Sequence, residues 1–161
     1  MIFLYRVAHF LFMNKIPFIP KLFEGLIFLI FNSRIPSNII IGKGTKFAYQ
    51  GLSTLLVKGT VIGENCIIGM RVTTGRKFPY KNVPKIGDKV WLGVNSVIIG
   101  PVIIEDNVVI APNSVVNKSV PKYKIVAGSP AKIIGDVRDL DYDIFSNPKY
   151  KEGFSDYLTD K

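Results

Sequence analysis

The chain has 161 residues, enough for one domain with a single core and some appendages. Apolar residues make up 48% of it and mean hydropathy is +0.28, which excludes a chain disordered throughout. A lone cysteine, Cys66, excludes an internal disulfide, and a lone histidine, His9, excludes a multi-histidine metal centre within the chain, so no metal is expected. The net charge of +9 is uneven: +5 over residues 1–46, +7 over 47–135 and −3 over 136–161. A basic body calls for an anionic partner, whether a phosphorylated cofactor, an acidic glycan or an anionic lipid surface. Nucleic acid is not expected, because the lysines are scattered and no aromatic-basic motif or recognition helix presents them.

Residues 2–13 are apolar on nearly every side of a helix. Pro17 and Pro20 break the run, since proline removes a donor and restricts its predecessor. A second apolar run, Leu22 to Phe31, contains Glu24 and stops near Pro36. Both runs fall short of the ~18–20 apolar residues that span a bilayer, and no small-residue cleavage site suggests a signal peptide. Residues 1–37 therefore read as an apolar helical segment, and two roles remain open for it. It packs on the rest of the protein or on a neighbouring subunit, or residues 1–36 touch a membrane surface with Arg6, Lys15, Lys21 and Arg34 facing anionic head groups. His9 reads as a packed helix histidine. The expected location is cytoplasmic, at the inner membrane surface in the second case.

From residue 38 to 135 a six-residue period dominates. Ile86, Leu92, Ile98, Ile104, Ile110 and Val116 fall six apart, and four residues after each stands a small or β-branched residue: Val90, Ser96, Val102, Val108, Ser114 and Val120. Ile62, Ile68 and Leu56 keep the phase, whereas Ile41 and Phe47 sit three residues out of step, which places a short insertion near Ser53 to Leu55. A period of six fits neither an amphipathic helix nor an ordinary meander. Each hexad is a short strand plus a corner, three make a triangular coil, and coils stack at about 4.8 Å. Ile68 would then lie under Ile86 only if residues 74–85 leave the coil or replace two of its faces. The composition of that stretch favours a loop over 75–85. A polar tail over 136–161 follows.

Ile86-Gly87-Asp88-Lys89-Val90-Trp91-Leu92-Gly93, Ile110-Ala111-Pro112-Asn113-Ser114-Val115-Val116 and Ala127-Gly128-Ser129-Pro130-Ala131-Lys132 together resemble the hexapeptide-repeat acyltransferases. The likeness is to the serine acetyltransferase group and the O-acetyltransferases of bacterial surface polysaccharides. Leu4-Tyr5-Arg6 and Ile16-Pro17 look like the polysaccharide branch as well. The resemblance implies an all-β left-handed parallel β-helix with short N-terminal helices, a homotrimer, and active sites between neighbouring helices. It also implies acetyl-CoA as acyl donor. Carried over by position, the cofactor contacts fall on Gly93, Val94, Pro112, Asn117, Lys118 and Lys132: small corner residues admit the pantetheine arm and lysines meet phosphates.

In the family a histidine takes the proton from the acceptor hydroxyl as it attacks the thioester. That position falls on Val57 in the polysaccharide-type pattern or on Gln50 in the serine-acetyltransferase pattern, and a second family histidine falls on Val83. Tyr49 and Gln50 could still orient an acceptor, while Glu64 and Asp88 occupy ordinary corners. The expected function is acyl-CoA-dependent O-acetylation of a sugar or small hydroxyl acceptor, in surface polysaccharide biosynthesis. The alternative is a catalytically degenerate hexapeptide-repeat protein that binds CoA or serves as a scaffold subunit. A γ-type carbonic anhydrase shares the fold class but needs zinc-binding histidines that this chain lacks.

Overall fold

The computed structural model describes residues 1–141 and 143–145. Two helices, α1 (Ile2–Met13) and α2 (Ile19–Phe31), precede a ladder of very short strands arranged in three sheets. The first sheet holds β1 (Ile40–Ile41), β3 (Val61–Ile62), β6 (Lys85–Ile86) and β9 (Ile103–Ile104). The second holds β2 (Lys46–Phe47), β4 (Ile67–Ile68), β7 (Trp91–Leu92) and β10 (Val109–Ile110), and is continued by β12 (Lys124–Gly128) and β13 (Ala131–Asp136). The third holds β5 (Thr73–Gly75), β8 (Val97–Ile99) and β11 (Val115–Val116). Every pairing is parallel except that of β12 with β13. This is the parallel β-helix expected from the hexads, left-handed as the resemblance implies, with the two helices at its start.

The hexad places one large aliphatic residue inward per strand. Ile62, Ile86 and Ile104 form one internal column, Ile68, Leu92 and Ile110 a second, and Ile98 and Val116 belong to the third; all are buried. Each such side chain contributes about 1.5–3 kcal/mol through burial. Asn65, Asn95, Asn107 and Asn113 turn the corners with φ between 54° and 59°, the left-handed region that asparagine tolerates better than most residues.

Coil length departs from eighteen residues at three places, the last being the sixteen-residue step that pairs Ile104 with Val120 and Ile110 with Val126. Ile86 pairs with Ile104 and Leu92 with Ile110, eighteen apart, but Ile62 pairs with Ile86 and Ile68 with Leu92, twenty-four apart. Ile68 therefore lies under Leu92 and not under Ile86. Residues 76–84 leave the coil between β5 and β6, adding six residues and thus preserving the hexad phase. Near the start of the ladder lies the three-residue offset between Ile41 and Ile62. Its source is the 3-10 turn Ala48–Gly51, slightly earlier than the Ser53–Leu55 expected.

Both ends of the ladder are covered, which prevents edge-to-edge pairing. At the start, the Tyr5 hydroxyl donates to the Ile39 carbonyl (2.8 Å), and the Arg6 guanidinium donates to the carbonyls of Ile41 and Gly42 (2.6 Å to the latter). His9 Nδ1 donates to the Ser37 carbonyl (2.7 Å), and the Ser37 amide donates to Glu24 (2.6 Å). Burial pushes the Tyr5 phenol up to about 12. At the far end the β12–β13 hairpin closes the second sheet. Asp136 there accepts from Arg138 (2.7 Å) and Lys124 (2.8 Å), which hold its carboxyl far below the usual range. Of the polar tail expected over 136–161, residues 142 and 146–161 lie outside the described residues.

The outward side of the helix pair is unusual. Phe3, Phe10, Met13, Phe18, Leu22 and Leu29 are each more than 60% exposed, and Phe18, at 84%, caps the turn between the helices. Neither helix is long and apolar enough to cross a membrane.

Candidate active site on the edges of the helix

Three edges run along the triangular prism. The edge between the second and third sheets carries the Ala48–Gly51 turn, then Met70 and Arg71, then Gly93 and Val94, then Pro112 and Asn113. Backbone bonds stack these corners: Asn95 N donates to Met70 O and Asn113 N to Val94 O, both at 2.9 Å, and Asn95 Nδ2 donates to Asn113 Oδ1 at 2.7 Å. Gly93 is glycine because of this stacking. A Cβ there would lie 2.5 Å from Pro112 N and 2.6 Å from Ile110 O, both backbone atoms of the next coil.

Of the six residues assigned to the cofactor, Gly93, Val94 and Pro112 share this edge. Asn117 and Lys118 stand, exposed, on the edge between the third and first sheets. Lys132 lies on β13 opposite Ala127, and the hairpin is tied back toward the first group by a bond from Gly128 N to Ser114 Oγ (3.2 Å). Within one chain the six residues thus occupy three places.

The structure separates the two candidate positions for the base. Gln50 is exposed, at φ 58°, on the same edge as Gly93, Val94 and Pro112. Val57 sits on the other edge, half-buried, its amide donating to Thr74 Oγ1 (2.9 Å), and it faces α2 across a cleft with Phe28 and Arg34. Gln50 thus shares an edge with Gly93, Val94 and Pro112, and Val57 shares one with Asn117 and Lys118. Glu64 and Asp88 belong to the remaining edge, where carboxylates tie successive corners together: Glu64 N donates to Asp88 Oδ1 (2.7 Å) and Asp88 N to Asp106 Oδ1 (3.0 Å). The Asp88 amide holds the Asp106 carboxyl below its ordinary range. His9 is engaged beneath α1. Cys66 is buried, and desolvation pushes its thiol upward, away from nucleophilic use. Among the described residues no cluster of three or more His, Cys, Asp or Glu could hold a metal.

The 76–84 loop builds a second feature that the residue pattern did not single out. It folds back over Gly59 and the first sheet to form a cleft of about 400 Å³, lined by Lys58, Arg76, Lys81 and Lys85 with Asn82 and Val83. The loop's basic composition and the family histidine position at Val83 were its sequence signals; that Lys58 and Lys85 join it follows from coil stacking.

Known proteins agree with this architecture. The bacterial transferase hexapeptide family (six repeats) matches residues 84–118, and the hexapeptide repeat of succinyl-transferase matches residues 57–75. A serine acetyltransferase of Synechococcus elongatus is 31% identical over 132 residues, covering 81% of this chain and 54% of that protein. One from Helicobacter pylori is 32% identical over 132 residues, covering 81% of this chain and 77% of that protein. The crystal structure of the Brucella abortus serine acetyltransferase with coenzyme A superposes with a TM-score of 0.79 at 29% identity, over 84% of this chain and 54% of the other. The chain spans about half the length of the Synechococcus relative and of the Brucella structure. With a relative this similar over most of both lengths, the chain belongs to the serine acetyltransferase family of hexapeptide-repeat transferases.

Proposed function

We propose that the chain is an acetyl-CoA-dependent O-acetyltransferase for a small hydroxyl compound, working as a homotrimer. The observation that carries this reading is the placement of Gln50 on one edge with Gly93, Val94 and Pro112, on a chain whose relatives are serine acetyltransferases. In this reading the pantetheine arm follows the edge, and Lys118 and Lys132 meet the cofactor's phosphates, each contributing on the order of 1 kcal/mol as an exposed contact. A relative crystallised with coenzyme A supports the donor. The names of the relatives favour a small acceptor such as serine and lend no support to a role in surface polysaccharide synthesis.

Threefold assembly is supported by the outer faces of the prism, where Ile40 and Ile103 are more than half exposed and Trp91 is partly so. The outward face of α1 and α2 fits an anionic bilayer at the cytoplasmic side of the inner membrane: exposed aromatic and aliphatic side chains are flanked by the exposed Lys15 and Lys21.

A second reading, a degenerate CoA-binding or scaffold subunit, draws on one observation: no histidine stands on any edge. Thiol release from acetyl-CoA with serine and a panel of other hydroxyl acceptors separates the two. Acceptor-dependent release supports transfer; CoA binding without release supports the scaffold. Sedimentation showing a monomer at micromolar concentration would remove the intersubunit site from both.

A further inference from the structure

We propose that the cleft between the Lys58–Gly59 corner and the 76–84 loop is a binding site for a ligand carrying phosphate or another multiply charged anionic group. Lys58, Arg76, Lys81 and Lys85 surround it, and none of its ten lining residues is acidic. None of the four cations forms an ion pair with a described carboxylate, whereas three cations at the far end of the helix do: Lys122 with Asp106, and Lys124 and Arg138 with Asp136. Glu24 lines the adjoining cleft with Lys58 but accepts the Ser37 amide. Four positive charges around about 400 Å³ repel one another, and an anion bound among them would relieve that repulsion. A zwitterionic amino acid offers one carboxylate and brings an ammonium into the same field. A phosphoryl group offers close to two negative charges and three acceptor oxygens, enough to engage several of these side chains together. Pro101, Val102 and Ile103 supply an apolar wall for the carbon skeleton that carries it.

Two sources supply this chemistry: a phosphorylated acceptor, or the phosphates of CoA bound by a neighbouring chain. The anion site stands on its own charges; only its use for an acceptor rests on the acyltransferase reading. The test is calorimetric titration of the full chain with inorganic pyrophosphate, in parallel with CoA and dephospho-CoA. The variants are Lys58→Ala/Lys81→Ala/Lys85→Ala and, as a control removing equal charge from another edge, Lys43→Ala/Lys46→Ala/Lys89→Ala. All six lysines are exposed, and a thermal melt verifies folding. The expected result is pyrophosphate binding that weakens at least tenfold in the cleft variant and less than threefold in the control. If CoA also weakens in the cleft variant while dephospho-CoA does not, the cofactor's 3′-phosphate is the source. If both are unchanged, the source is the acceptor. Equal loss in the two variants would reduce the site to general basic character and overturn the proposal, as would absent pyrophosphate binding. Neither failure touches the acyl-transfer reading, which thiol release tests separately.

Discussion

Replacing Gln50 by histidine is the most direct way to ask whether the edge carrying Gly93, Val94 and Pro112 is the catalytic one. The site accepts the change readily. Gln50 is exposed, and its φ of 58° lies in the left-handed region where histidine is among the better-tolerated residues. A positioned general base is typically worth 10²–10⁴-fold, or about 2.7–5.5 kcal/mol of barrier. Gln50→His is therefore expected to raise acceptor-dependent thiol release by at least about 100-fold, with a rate that falls as pH drops through about 6.5. Val57→His serves as comparison, since Val57 lies on another edge against α2 and is expected to stay within about threefold of the native rate. The assay is continuous detection of free CoA across pH at saturating acetyl-CoA. An equal gain in both variants, or a gain in Val57→His alone, would refute the edge assignment. A native rate already near that of Gln50→His would show that another group supplies the base.

Gly93→Ala is expected to lower stability by about 1–3 kcal/mol, because its methyl would press on immovable backbone, which corresponds to roughly 2–12 °C in Tm. Gly75→Ala, whose Cβ would meet only Ile99 Cγ1 at 3.8 Å, should be neutral or slightly stabilising; matching melts for the two would discount the stacking argument. Cys66, buried and with its thiol pushed up, should resist alkylation at neutral pH until the chain unfolds, which mass spectrometry reads directly. Vesicles containing anionic lipid should sediment the protein and neutral vesicles should not, with Phe18→Ser/Leu22→Ser/Leu29→Ser abolishing the effect. Retention of those variants on vesicles would move the contact elsewhere, and their conversion to a smaller oligomer would assign the face to protein.

The β-helix was legible because a hexad period encodes three things together: an inward aliphatic residue, a small residue at the turn and a tolerant corner. Ile86, Leu92 and Ile98 with Val90, Ser96 and Val102 leave no other period to choose. Which coil lies on which was not legible. A six-residue loop keeps the phase, so Ile68 reads equally well under Ile86 or Leu92, and only the backbone ladder decides for Leu92. The separation of Gln50 from Val57 was hidden for a related reason. The turn at Ala48–Gly51 shifts the register by three, and its φ values, not its residue types, set which edge Gln50 occupies. The split of Lys118 from Gly93 had no sequence signal; in the proposed trimer, a groove between neighbouring chains would draw residues from different edges of each.

Where this chain leaves the eighteen-residue coil its side chains are freer than at the periodic positions, which also hold the assigned cofactor residues Gly93, Val94 and Pro112. The periodic positions are committed to stacking: Gly93 to the backbone above it, Asp88 and Asp106 to amides, the asparagines to corners. A side chain there cannot change its task without a cost to the fold. The Ala48–Gly51 turn, the 76–84 loop and the outward face of α1 and α2 are less committed: they hold Gln50, whose Oε1 accepts from the N-terminal amine at 3.4 Å, the cations without a described carboxylate partner, and the exposed aromatic residues respectively. A histidine could therefore be absent at position 50 with little effect on stability, and substitutions in the loop could change the ligand's charge without disturbing the coils. Fold and activity are thus separable in this architecture, and family membership fixes the first more firmly than the second.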